Sequence, residues 1–100
     1  MTNGKHCSDA ELERLYRAVC SLEDAGEAGA FLADILSPKE IDELAQRLEV
    51  ARMLSDGSSY LDVSAATGAS STTVSRVSKC LNGTVGGYRL VLGRMAEADE

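Results

Sequence analysis

The densest run of hydrogen-bonding side chains lies at residues 68–81, GASSTTVSRVSKCL, where the hydroxyls of Ser70, Ser71, Thr72, Thr73 and Ser75 are followed by the cations Arg76 and Lys79. On a helix, Val74, Val77 and Leu81 share one stripe, which turns Ser71, Thr72, Ser75, Arg76 and Lys79 to the opposite face. Short hydroxyl side chains let a helix enter a DNA major groove about 12 Å wide and bond base edges there. The guanidinium and ammonium groups add charge-assisted contacts to phosphates. No Asp or Glu interrupts residues 68–94, although the rest of the chain is rich in both.

Elsewhere the chemistry is sparse. His6 is the only histidine and stands beside Cys7, without the further ligands that zinc needs or the partners that activate a nucleophile. Cys20 and Cys80 border apolar positions and read as small buried hydrophobes. The run GTVGGYRL at residues 83–90 lacks the spacing of a phosphate-binding loop and reads as a helix end leading into a last helix. The expectation is therefore no enzyme, no metal and no cofactor.

The elements that must hold the polar face are helices. Ser8 with Glu11 forms a capping-box pattern, and Leu12, Leu15, Tyr16, Val19 and Leu22 carry a helix to about Glu23. Asp24 with Glu27 starts a second helix bearing Phe31, Leu32, Ile35 and Leu36. Ser37-Pro38-Lys39-Glu40 combines a cap, a first-position proline and an acid at the third position. The third helix should then run from Pro38 to about Asp56 and stop at Gly57. Its stripe reads Ile41, Leu44, Ala45, Leu48, Ala51 and Leu54, flanked by Val50 and Met53. That face is broad for so short a chain, so a second subunit competes with the chain's own helices to cover it.

From Tyr60 onward two short helices joined by a tight turn fit the residues. Val63 and Thr67 point inward, Ser64 is small where the helices approach, Gly68 permits the turn, and Ser70 caps the second helix. This is helix-turn-helix spacing, and an ordinary helical hairpin is the plainer alternative. No alternating strand pattern occurs, so the fold class is all-α.

At 100 residues the chain is one domain, and 44% hydrophobic content suits a folded protein. The net charge is −6, yet all of it sits in residues 1–56, which hold six Lys/Arg against twelve Asp/Glu. Residues 57–95 carry Arg76, Lys79, Arg89 and Arg94 against Asp62 alone. Three cysteines, no secretory leader and no long apolar run make a cytoplasmic protein without a membrane span the expectation.

The stretch LSPKEIDELAQRLEVARMLSDG followed by TGASSTTVSRVSKCLN resembles the Trp-repressor family, especially its YerC/YecD branch, and ELERLYRAV and GGYRLVL extend the likeness to residues 11–95. The resemblance implies an intertwined homodimer of multi-helical helix-turn-helix subunits, regulating transcription with one recognition helix per subunit in double-stranded DNA. The domain plan is then a flexible segment at 1–10, the helical domain at 11–95 with its helix-turn-helix at about 60–82, and an acidic tail at 96–100. The resemblance makes the protein a repressor whose DNA contacts come from Ser70, Ser71, Thr72, Thr73, Ser75, Arg76 and Lys79. It also places an effector at Ser37, Arg47 and Arg76, whose binding is expected to raise DNA affinity. The glycine that makes room for the indole ring in tryptophan-binding members corresponds to Val77 here, so the effector is expected to be a small anion other than tryptophan. The competing account of Arg47 and Arg76 is surface pairing with Asp42, Glu43 or Glu49. The competing account of the whole is a helical protein-interaction module with little DNA affinity.

Overall fold

Ser8 opens the first helix as its residue types dictate. Its side chain accepts the Glu11 amide at 3.1 Å while the Glu11 carboxylate accepts the Ser8 amide at 2.9 Å. In the computed structural model, which describes residues 7–99, this box starts α1 (Asp9–Cys20). His6 and its expected lack of a metal role lie outside the described residues. α1 ends three residues short of Glu23, because Ser21 turns its hydroxyl onto the Ala18 carbonyl at 2.7 Å and closes the last turn. Asp24 then caps α2 (Ala25–Ile35) by accepting the Glu27 amide at 2.8 Å.

Residues 1–38 and residues 39–100 form two compact units. Nothing in α1 or α2 is buried, and Leu12, Leu15, Tyr16 and Val19 leave an apolar stripe accessible along α1.

The second unit is built on α3 (Pro38–Ser55), α4 (Tyr60–Thr67), α5 (Ser71–Leu81) and α6 (Gly87–Ala98). Pro38 begins α3, and Gly57 ends it at φ 95°, where the Gly57 amide reaches the Leu54 carbonyl and the Ser58 amide the Met53 carbonyl, both at 3.0 Å. That pair of bonds is the Schellman closure that a left-handed glycine permits. The core consists of Val50, Ala51, Val63, Ala69, Val74 and Val77, with Met53, Leu54, Tyr88 and Leu92 packed against it.

The centre of the α3 contribution differs from the expected stripe. Val50, expected on the flank, is fully buried, whereas Leu44 is exposed and Ile41 and Leu48 are only half-buried. Val63 of α4 and Val74 and Val77 of α5 pack with Val50 and Ala51, so the Val50 side of α3 is the one that faces the core. Gly86, at φ 82°, precedes α6, and that helix reaches Ala98, into the stretch read as an acidic tail. All six elements are helices, and no strand occurs among the described residues.

Candidate nucleic-acid interface

The turn between α4 and α5 is closed by its own side chains. Gly68 takes φ 76° and sends its amide to the Ser64 carbonyl at 2.9 Å. The Ser64 hydroxyl donates to the Ala69 carbonyl at 2.6 Å. The Thr67 hydroxyl donates to the Val63 carbonyl at 2.8 Å and accepts the Ala69 amide at 3.2 Å. Small polar residues at these places thus satisfy backbone groups that a sharp turn would otherwise leave unpaired. Gln46 of α3 adds a donor to the Thr67 carbonyl at 3.2 Å. Its sequence neighbourhood gives no hint of that bond, because the contact spans 21 positions.

On α5 the apolar stripe goes inward. Val74 is 0% exposed, Val77 3% and Leu81 8%. Ser70 stands just before the helix, and its hydroxyl accepts the Thr73 amide at 3.1 Å and contacts the Thr73 hydroxyl at 3.1 Å. Both hydroxyls are therefore engaged in the cap. Ser71, Thr72, Ser75, Arg76 and Lys79 remain exposed and together line a shallow polar concavity of about 410 Å³. Among the described residues their side chains form no hydrogen bond or ion pair. The face presents donors and acceptors with no intramolecular claim on them.

Two bonds found only in the structure fix the far end of α5. The Tyr60 hydroxyl, at the start of α4, donates to the Ser78 hydroxyl, and the Arg89 guanidinium of α6 donates to the Leu81 carbonyl. Arg89 thereby places positive charge at the carboxyl end of the helix, where the dipole is negative.

A second cavity of about 310 Å³ adjoins this face and is lined by Arg47, Thr73, Arg76, Val77, Cys80 and Tyr88. The two expected effector arginines come together there. Ser37, the third residue expected at that site, belongs to the first unit. Surface pairing does not account for them. Glu49 is engaged by Arg52, at 2.5 Å, and the same guanidinium reaches Asp56 at 3.1 Å. The Arg52 hydrogen bond holds the Glu49 carboxyl below its ordinary pKa, and Glu49 in turn raises Arg52. Arg47 and Arg76 have no ion pair or hydrogen bond of their side chains among the described residues.

A third depression, apolar and about 540 Å³, lies against the α5–α6 connection, with Leu48, Val85, Tyr88 and Val91 in its walls. Cys80 lines both this cleft and the arginine cavity and is exposed, and Cys20 is exposed as well. The expectation of buried thiols is thus corrected. Cys80 sits in the last turn beside the buried stripe rather than on it, and Cys20 ends a helix that buries nothing. Among the described residues no cluster of side chains could hold a metal ion, and no helix is long and apolar enough to cross a membrane.

Known proteins share this arrangement. The sequence profile of the Trp repressor protein family matches residues 10–96. The uncharacterized protein YerC of Bacillus subtilis (strain 168) is 44% identical over 89 residues, covering 89% of this chain and 86% of that protein. A crystal structure of a TrpR-like protein from Eubacterium eligens ATCC 27750 superposes with a TM-score of 0.82 at 42% identity, covering 89% of this chain and 92% of that one. A candidate Trp repressor from Staphylococcus aureus gives a TM-score of 0.84 at 36% identity, with 89% of each chain covered. The chain belongs to the Trp repressor superfamily of transcription regulators, in its YerC branch.

Proposed function

We propose that the protein is a sequence-specific DNA-binding repressor of transcription that acts as a homodimer in the cytoplasm, without enzymatic activity. One observation carries this reading: α5 buries Val74, Val77 and Leu81 and leaves Ser71, Thr72, Ser75, Arg76 and Lys79 on the outside, without side-chain partners among the described residues. Such a face suits the major groove, where hydroxyls read base edges and the two cations hold phosphates. The local charge balance favours approach to DNA even though the total is −6. A second copy supports two half-sites and supplies cover for the apolar cleft and for the α1 stripe. The cavity between Arg47 and Arg76 suits a small anionic effector.

Fluorescence anisotropy with sheared genomic fragments tests the reading. Affinity should fall steeply as salt rises, with a log–log slope near −0.9 for each phosphate neutralised. Sequencing the retained fragments should return a two-fold symmetric site. Flat or undetectable binding at low salt would instead favour a helical protein-interaction module.

A further inference from the structure

The two ends of α5 are held by different means. At its start, the Ser70 cap and the hydroxyls of Ser64 and Thr67 tie the helix to the turn after α4. At its end, the Ser78 and Cys80 carbonyls accept the amides of Asn82 and Gly83, whereas the Leu81 carbonyl accepts from another element, the Arg89 guanidinium of α6. That guanidinium passes close over Gly86. A Cβ at position 86 would stand 3.2 Å from Arg89 Nη2, and the backbone there has φ 82°. Resting on the DNA-binding reading above, we infer that Arg89 is a positioning residue for DNA recognition: it sets the direction of α5 through the Leu81 carbonyl without touching the duplex, and Gly86 keeps its path open.

The argument is one of leverage. Burial of Val74, Val77 and Leu81 holds α5 on the core, but apolar contact is non-directional, while a hydrogen bond demands both distance and angle. The 11 residues of α5 make a lever of about 16 Å, so a pivot of about 10° at the turn moves the far end by about 3 Å. Base-edge bonds tolerate far less than that. Lys79, Arg76 and Ser75 lie towards the end that Arg89 secures. Arg89 itself does not line the polar concavity of the exposed α5 face, which separates it from the residues read as DNA contacts. It is also exposed and outside the core cluster, so its replacement leaves the apolar packing in place.

The experiment compares two duplexes of equal length by anisotropy over a range of salt: the site recovered from retained genomic fragments, and a scrambled version of it. The quantity read is the ratio of the two affinities, with thermal melts recorded alongside. Arg89→Ala and Arg89→Gln should each lower that ratio by about tenfold, within the range of one well-placed base contact, while affinity for the scrambled duplex and the salt slope stay close to those of the parent. Arg89→Lys keeps a donor and the charge, and should recover part of the loss. Gly86→Ala leaves Arg89 in the chain and should still reproduce the loss; an unaffected ratio there overturns the part given to Gly86. An unchanged ratio in the Arg89 variants, whatever their melting temperature, overturns the positioning role. An equal fall for both duplexes with a salt slope reduced by about 0.9 also overturns it, since that pattern belongs to a direct phosphate contact. Failure of the parent to bind DNA or to prefer a recovered site overturns the functional reading instead, and the positioning role falls with it.

Discussion

At the scale of single residues, Val74 and Val77 divide the labour of α5 between stability and ligand choice. Val74 is fully buried in the core, so Val74→Ala removes two methyl groups and leaves a small void. The expected loss is about 2 kcal/mol, read from the urea midpoint. Val77 is nearly as buried but also walls the Arg47–Arg76 cavity. Val77→Gly should cost at least ~1 kcal/mol in helix propensity and lost burial. It should also open space of the kind an indole ring would need, so calorimetry should detect tryptophan binding by the variant and none by the parent. A titration prediction belongs to this scale too. The Ser8 amide, then the Ser8 hydroxyl, hold the Glu11 carboxyl below its ordinary value. A depressed carboxylate stabilises its helix above the unfolded pKa, about 4.3, and that contribution disappears as pH falls through the lower folded value. Amide protection at the start of α1, taken relative to the intrinsic exchange rate at each pH, should therefore fall below about pH 4, and Glu11→Gln should flatten the profile.

At the scale of elements, the helix-turn-helix was legible because each of its positions carries a local demand. Only a residue tolerant of left-handed φ fits at Gly68, only a short hydroxyl at Ser64 reaches the Ala69 carbonyl, and Ser70 caps α5 as its type requires. Caps and stripes likewise located α1, α2 and α3 to within a few residues. What could not be read was set by distant partners: the Gln46 bond to Thr67, the Tyr60 bond to Ser78 and the Arg89 bond to Leu81 have no local signature. The same limit misplaced Val50, since which side of the broad α3 stripe is buried depends on where α4 and α5 pack. The local demands make firm predictions. Gly68→Ala should destabilise by about 1 kcal/mol through left-handed strain, and Ser70→Ala by about as much through the lost cap, both measured by thermal unfolding. The outer face divides further. Thr72→Ala or Ser75→Ala should relax base preference at one position, whereas Lys79→Ala should weaken all sequences alike and reduce the salt slope by about 0.9.

At the scale of the whole molecule, the distribution of apolar surface argues for a second copy. Val85 is 95% exposed at the edge of an apolar cleft of about 540 Å³, and Leu48, Tyr88 and Val91 line the same depression. Leu90 and Met95 on α6 and Leu15 and Val19 on α1 are also accessible. A core of six small residues supported by four half-buried ones is modest for a chain of 100 residues. Covering these faces in the proposed dimer would supply burial that one chain does not reach, and it would also set the spacing of two recognition helices at one turn of the duplex, about 34 Å. Stability, assembly and DNA binding should therefore be lost together. Val85→Glu places a charge where a partner would press and, being fully accessible in one chain, disturbs no core residue. Sedimentation equilibrium should show a monomer for this variant and a dimer for the parent. The melting temperature of the parent should rise with protein concentration, while that of the variant should be lower and insensitive to it. Operator affinity should fall to the level of a single half-site, with the salt slope roughly halved. A Val85→Glu protein that remained dimeric and bound its site undiminished would show that the cleft faces solvent and that the dimer forms through other helices.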